Sequence, residues 1–523
     1  MGWASQPKND PNLFRVQEVN LKHDIMPDVH SKFFSLFLLS CLLCLFACQQ
    51  KSSEPAVDPE VTEAMVAIEN GLLPAVLPTG DTLTSFTLDE RMAYYHVPGV
   101  SIAVLKDGEI HWARGYGVAD SLQGTTVDTN TLFQAGSISK PVAALAALHL
   151  VQEGKLDLDT DVNTYLTGWK IPDHEWSETT PVTLRHLLTH TGGLTVHGFP
   201  GYTQTDTFPA IEQVLRGEGN TPAIFVDTEP GTNWRYSGGG YTIMEKVVED
   251  VSGMSLEAYM RQHVLDPMGM VKSTYEQPLP AKYHAQASAA YDGMGTYIDG
   301  GWHNYPEQAA AGLWTTPRDL LRYATEMQAA YAGESNRVIN QETVSAMLTR
   351  HQNNWGLGPA LSTEEEPLIF AHGGKNAGFS NTFMAFAKKG GGGLAIMTNA
   401  DQGTSLMREI ERAISAHYGW ETAMPRRVDT IVIPETERPG FEGDYVYDGE
   451  DARMNGYRVK LTYSGDYLTI YDPQNGQVNE MMSLPEDGFI DRNSGDRVVF
   501  SRAEDGIPNR FVFSGAFPFR KVE

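Results

Sequence analysis

Two apolar runs flank Asp107-Gly108 in the stretch VPGVSIAVLKDGEIHWARGYG, from Val97 to Gly117. An Asp-Gly pair between β-branched runs predicts a β-hairpin with a two-residue turn. NTFMAFAKKGGGGLAIMTNA, from Asn381 to Ala400, repeats the pattern about a glycine-rich turn. Between these hairpins the period changes. The stretch FQAGSISKPVAALAALHL predicts a helix beginning near Ser137 and ending at Gly154, a suitable C-cap. A second helix is expected in TTPRDLLRYATEM, where Thr316 can cap, Pro317 fits the first turn and Asp319 faces the positive end of the helix dipole. Strands at both ends with helices between predict an α+β domain from about Phe86 to Tyr418, its sheet joining distant segments. After Pro425 the helical period is gone. YRVKLTYSGDYLTIYD is strand, turn and strand, and the rest continues in that style, so a small antiparallel barrel or sandwich is expected.

Ahead of these domains, the apolar run Phe33 to Ala47 is short for a membrane span and passes directly into polar residues. It has the form of a secretion signal. Leu45-Phe46-Ala47-Cys48 resembles a bacterial lipoprotein cleavage box. That resemblance implies export across the inner membrane and a mature chain held at the outer membrane, on its periplasmic side, by lipid on Cys48. An uncleaved signal anchor is the alternative. Asp10, Glu18 and Asp24 sit poorly before such a signal, and Met26 is the better-placed start. The three cysteines are Cys41, Cys44 and Cys48, so a chain beginning at Cys48 has no thiol for a disulfide. With 39 Lys and Arg against 66 Asp and Glu, the net charge of -27 repels nucleic acid.

The candidate chemistry lies where the first helix begins. Ser137 and Lys140 stand at i and i+3, on one helix face. A serine hydroxyl needs a neighbouring base, and an amine can be that base once burial lowers its pKa towards neutrality. Free N–H groups at a helix start favour a developing oxyanion. A lysine at such a position more often points into water, so the pair by itself decides little. Two further stretches change that: NWRYSGGGYTI, with Tyr236 and Ser237 before three glycines, and LIFAHGGKNAGFSN, with His372-Gly373-Gly374 after an apolar run.

These three elements, in this order, resemble the serine β-lactamase and penicillin-binding protein superfamily. The tyrosine in the middle motif points to the class C β-lactamase branch, with its D-aminopeptidase, DD-carboxypeptidase and carboxylesterase relatives. TLRHLLTHTGGL and EQAAAGLWTTPRDL extend the resemblance, which covers about Leu83 to Tyr418. It implies a catalytic domain of antiparallel sheet, flanking helices and a helical subdomain, followed by an appended lipocalin-like domain. It also implies Ser137 as nucleophile, with Lys140 and Tyr236 both candidates for its first proton. A phenol serves as base only where an adjacent cation stabilises the phenolate. His372, Gly373 and Gly374 would form the sheet edge beside the site, and the backbone N–H groups of Ser137 and Lys375 the oxyanion hole. No metal or organic cofactor is implied. His186 and His190, four apart in HLLTHTGGL, are read as structural because no Glu stands between them in the zincin arrangement.

Two departures bear on substrate. Gly238 stands where many relatives carry an amide-holding asparagine. His372-Gly373 replaces Lys-Thr, leaving a protonated His372 or Lys375 to meet a substrate carboxylate. The sequence is therefore read as leader (1–47), tether (48–80), catalytic domain (81–424) and all-β domain (425–523). The expected activity is acyl-enzyme hydrolysis of an ester, or of a peptide or amide bond in a D-amino-acid substrate. β-Lactam turnover, and a penicillin-recognising sensor that acylates and stalls, are the alternatives. The expected partners are a small-molecule or peptide substrate and the membrane, reached through Cys48; no oligomeric state follows from the motifs.

Overall fold

The computed structural model describes residues 58–522 apart from 83, 84, 365, 452, 453 and 475. The leader and Cys48 lie outside the described residues. Among those described, no helix is long and apolar enough to cross a membrane.

The segment expected as tether is folded from Pro59 onward. Helix α1 (Pro59–Glu69) buries Ala64 and Ile68, and Leu72, Leu73, Val76 and Leu77 follow them into the interior. Ala64 and Ile68, four apart, form the buried face of the helix, and Leu72, just beyond it and bridged to Phe86, continues the apolar series that the polar, proline-bearing composition of the region conceals. Val76–Pro78 then pairs in parallel with Arg426–Val428, immediately ahead of the C-terminal domain.

The first hairpin forms as its pattern predicts. Strands β1 (Gly99–Lys106) and β2 (Glu109–Asp120) turn at Asp107 and Gly108, whose φ values of 53° and 80° suit a type I′ turn. From the far end come β3 (Ile369–Asn376), β4 (Phe379–Phe386) and β5 (Gly393–Thr398). The antiparallel sheet runs in spatial order Thr125–Thr126, β2, β1, β5, β4, β3, Ala360–Leu361. Alternation along β1 sends Val100, Ile102 and Val104 to one face and Ala103 and Leu105 to the other.

Four further helices cover these faces. Helix α2 (Ser139–Gln152) is buried from Ser139 to Leu148 on all sides, the mark of a core helix. With α3 (Gly238–Ser252) and α4 (Pro317–Tyr331) it packs in the larger core, together with Ala103 and Leu105. Thr316 caps α4, its hydroxyl accepting from Asp319 N at 3.2 Å. Helix α5 (Gly403–Tyr418) shares the opposite face with α1.

The C-terminal domain is a closed barrel of eight strands, each antiparallel to the next: β6 (Gly443–Tyr447), β7 (Arg458–Ser464), β8 (Tyr467–Tyr471), β9 (Val478–Leu484), β10 (Gly488–Asp491), β11 (Arg497–Arg502), β12 (Pro508–Phe513) and β13 (Phe517–Lys521). Inward residues such as Leu461, Leu468, Met481 and Phe500 form its own core. A buried polar cluster fastens it to the catalytic domain. Arg91 donates to both Glu409 oxygens at 2.7 and 2.6 Å and to Asn493 of the barrel at 3.1 Å. The Tyr95 hydroxyl also donates to Glu409, at 2.7 Å. Arg412 donates to Leu73 O and Asn493 O, so the N-terminal segment, the catalytic domain and the barrel meet at one point.

Candidate active site

Ser137 lies in a single 3₁₀ turn, Gly136–Ile138, and α2 proper begins at Ser139. The turn replaces the continuous helix expected from Ser137, and it still sets the serine above the first turn of α2. Lys140 Nζ is 2.9 Å from Ser137 Oγ and donates to Ala310 O at 2.8 Å. The amine is buried, and loss of hydration lowers its pKa to about 7.

Strand β3 reaches this turn because glycines stand at both contact points. Gly136 has φ of 55°, and a Cβ there would lie 2.5 Å from Lys375 N. A Cβ on Gly374 would lie 1.9 Å from Ala135 O. Backbone therefore packs on backbone, which brings the Lys375 peptide beside the Ser137 turn. Gly374→Ala is expected to push β3 away and cut Ser137-dependent kcat/KM by about 10²-fold, near the loss of one oxyanion donor. Circular dichroism would show a retained fold.

Tyr236 enters from the segment ahead of α3. Ser237 caps that helix, its hydroxyl accepting from Gly240 N at 3.0 Å, and Gly238 fits against Phe199, 2.9 Å from where a Cβ would stand. The Tyr236 hydroxyl is buried, with the Ser137 hydroxyl as its polar neighbour. Burial raises its pKa, with the adjacent Ser137 hydroxyl opposing. Around the phenol stand His190 (ring centroids 4.2 Å apart), Trp355 (5.9 Å) and His372 (6.1 Å). Lys140 Nζ lies 5.0 Å from the ring centroid.

Of the two cations the sequence offers a substrate carboxylate, His372 or Lys375, His372 does not serve. Burial and the nearby Lys140 lower its pKa to about 3, so the ring is neutral at physiological pH. Its Nδ1–H donates to Gly373 O at 2.5 Å, leaving Nε2 as a buried acceptor without a partner. His186 and His190 serve different contacts: His186 Nδ1 accepts from Thr183 N, and His190 Nδ1 from Ser237 N. No group of three metal-ligating side chains gathers among the described residues.

Ser137, Tyr236, His372, Gly373, Gly374 and Lys375 thus border one cleft of about 360 Å³. Its far wall adds Asn381, Thr404 and Arg408, which single-motif reading does not find because α5 and the middle of β4 carry no local signature. Trp355 is equally invisible, because it lies in a distant loop and meets Tyr236 only in three dimensions; Trp234, two residues before Tyr236, stands beside it as well.

A second, hidden feature lies behind Lys140. The short helix Gln308–Ala311 offers Ala310 O to the amine, and Glu245 accepts from Ala309 N at 2.7 Å. The Glu307 carboxyl is buried, with no side-chain partner among the described residues, and burial raises its pKa to about 8, its own backbone N–H opposing. A raised carboxyl favours folding most below its unfolded value of 4.5, and that contribution is lost as pH rises through about 8. Glu307→Gln is expected to flatten this decline, measured by urea unfolding at about pH 5 and about pH 9.

The beta-lactamase family model matches residues 87–418, and the chain belongs to that family, within the superfamily of serine β-lactamases and penicillin-binding proteins. Penicillin-binding protein 4 of Amycolatopsis lactamdurans is 28% identical over 368 residues, covering 67% of this chain and 92% of that protein. The octameric penicillin-binding protein homologue from Pyrococcus abyssi superposes with a TM-score of 0.58 at 21% identity, over 83% of this chain and 98% of that one. The D-amino acid amidase from Ochrobactrum anthropi SV3 gives 0.52 at 20% identity, over 69% and 98%. At such identities these two structures speak for the fold.

Proposed function

We propose that the protein is a serine hydrolase working through an acyl-enzyme on Ser137, cleaving an ester or a D-amino-acid-directed peptide or amide bond. The observation that carries this reading is the 2.9 Å contact between Ser137 and a Lys140 amine whose pKa burial lowers to about 7. In the proposed cycle the Ser137 proton passes to Lys140 Nζ as Oγ attacks the carbonyl carbon. The N–H groups of Ser137 and Lys375 receive the oxyanion, a donor of this kind contributing roughly 3 kcal/mol. Collapse expels the alcohol or amine, which takes its proton from Lys140; water then attacks the acyl carbon, its proton passing to the neutral Lys140 Nζ and on to the departing Ser137 Oγ. Tyr236 is assigned as a neutral phenol whose O–H hydrogen-bonds the departing oxygen or nitrogen while Lys140 supplies the proton. Burial raises its pKa, and the lysine beside it is too weakly basic to hold a phenolate.

The same electrostatics shape the substrate reading. A neutral His372 offers no cation to a β-lactam carboxylate, and Gly238 offers no amide. Lys375 and Arg408 are the cleft's cations, Arg408 already pairing with Glu411 at 3.0 Å. Ester or amide turnover is therefore preferred over β-lactam turnover. The kinship with Penicillin-binding protein 4 favours one second reading, a penicillin-recognising protein that acylates and stalls. We further propose that lipid on Cys48 holds the exported protein at the outer membrane; mass spectrometry of the mature N-terminus tests this.

Because Lys140 must be unprotonated to accept the serine proton, kcat/KM is expected to rise with pH through about 7 and then level. A profile falling over that interval contradicts Lys140 as base. Time-resolved intact mass spectrometry with a p-nitrophenyl ester, a D-alanyl peptide and a penicillin tests the whole scheme. A transient adduct on Ser137 that clears with product supports the hydrolase. A persistent penicillin adduct with no other turnover supports the sensor, and no adduct from any of them overturns both.

A further inference from the structure

The Ser137 cleft and the barrel are linked by side chains that border successive hollows. Lys375, at the edge of the cleft, also borders a polar hollow of about 470 Å³ with Asp292, Asp401, Gln474 and Gln477. Gln477 in turn lines a cup of about 350 Å³ at one mouth of the barrel. The approach to β9 is seated on the catalytic domain, which fixes this alignment. A Cβ on Gly476 would lie 2.4 Å from Met294 Sδ, and the Tyr94 hydroxyl donates to Val478 O at 3.3 Å.

A closed eight-stranded barrel commonly fills its interior with side chains or keeps room for one small ligand. Here the floor is apolar: Val459, Ile470, Phe511 and Phe519, the last two stacked at 4.9 Å and 15°. Phe513 and Phe517 stand at the rim, Phe517 being 41% exposed. The rim carboxylates are bound to the cup's own wall. Asp472 accepts from the Tyr457 hydroxyl, and Asp496 from the Ser494 and Ser514 hydroxyls at 2.8 Å each. The track is thus polar in its middle and apolar at its end.

We propose that the barrel mouth holds the apolar end of this enzyme's own substrate, an extended amphipathic ester or amide. Its reacting carbonyl lies at Ser137, its polar middle passes Lys375 and Gln477, and its aliphatic or aromatic tail rests on the Phe511–Phe519 floor. This assignment rests on the hydrolase reading of Ser137. It gives the barrel a role in specificity: substrates too short to reach it forgo the burial of a tail, each methylene of which is a sizeable part of a tenfold step.

The test uses the full mature protein with two ester series, p-nitrophenyl esters from acetate to decanoate and alkyl acetates from ethyl to decyl. The expected result is a kcat/KM that climbs with chain length in at least one series. The long-to-short ratio should fall about tenfold in both Phe517→Glu and Phe513→Ser, folding being checked by circular dichroism. Flat series in the wild-type protein, or unchanged ratios in folded variants, overturn the proposal. If no ester is hydrolysed, esters are removed from the hydrolase reading, and the cup is judged separately by fluorescence titration of dansyl-undecanoic acid into Ser137→Ala protein. Binding weakened about tenfold by adding Phe517→Glu sustains the cup; absent binding, or binding indifferent to Phe517, overturns it.

Discussion

Ser137→Ala is expected to lower kcat/KM by on the order of 10⁴-fold or more, with the fold unchanged. The effect is large because the hydroxyl is the only atom at this point of the cleft that both faces the base and can form the covalent bond. Its removal deletes the 2.9 Å contact with Lys140 and the neighbouring hydroxyl beside Tyr236, while Lys140 keeps Ala310 O. Stability should therefore move little. The oxyanion donors are backbone groups and survive the substitution, so a small residual rate over water is expected. The decisive readout is joint: a protein that melts like the wild type and shows no acyl adduct by mass spectrometry. A folded Ser137→Ala protein that still turned over substrate would remove Ser137 from the mechanism.

Glu409→Ala is expected to destabilise the protein by about 3–5 kcal/mol, read from urea unfolding. Glu409 is fully buried and accepts two bonds from Arg91 and one from Tyr95. Alanine would leave the Arg91 guanidinium, itself almost wholly buried, with Asn493, the Tyr95 hydroxyl and neighbouring aromatic rings but no carboxylate. The cost is that of an uncompensated charge away from water rather than the worth of the pair. Replacing both members by apolar residues, Arg91→Met with Glu409→Leu, should therefore recover much of the loss. A double variant no better than the single one would place the cost in packing instead.

The same contrast between local and distant causes explains what the sequence disclosed. The hairpin at Asp107-Gly108, the Thr316 cap and the alternating strands after Pro425 were legible because turn, cap and alternation are written in neighbouring residues. Ser137, Lys140, Tyr236 and the His372-Gly373-Gly374 run were legible because each sits in a short motif. The aromatic enclosure of Tyr236 by Trp355 and His190 was not, since its members are far apart in the chain. The choice between His372 and Lys375 as cation stayed open in the sequence for the same reason: the neutrality of His372 comes from burial and Lys140, neither of which its neighbours in sequence reveal. Residues 59–78 were misread because a short apolar series, Ala64, Ile68 and Leu72, was outweighed by polar composition around it.

That first folded segment has a consequence for how the protein comes into being. Val76–Pro78 finds its strand partner at Arg426–Val428, Val76 N donates to Arg492 O, and Leu73 O receives Arg412. A ribosome extends the chain from the N-terminus, so this earliest piece waits for nearly the whole polypeptide before its backbone groups are met. Closure of such a long loop comes late and slowly. The catalytic core can collapse first; the seam between the two ends is the last joint to set, and truncation beyond Pro425 leaves it open.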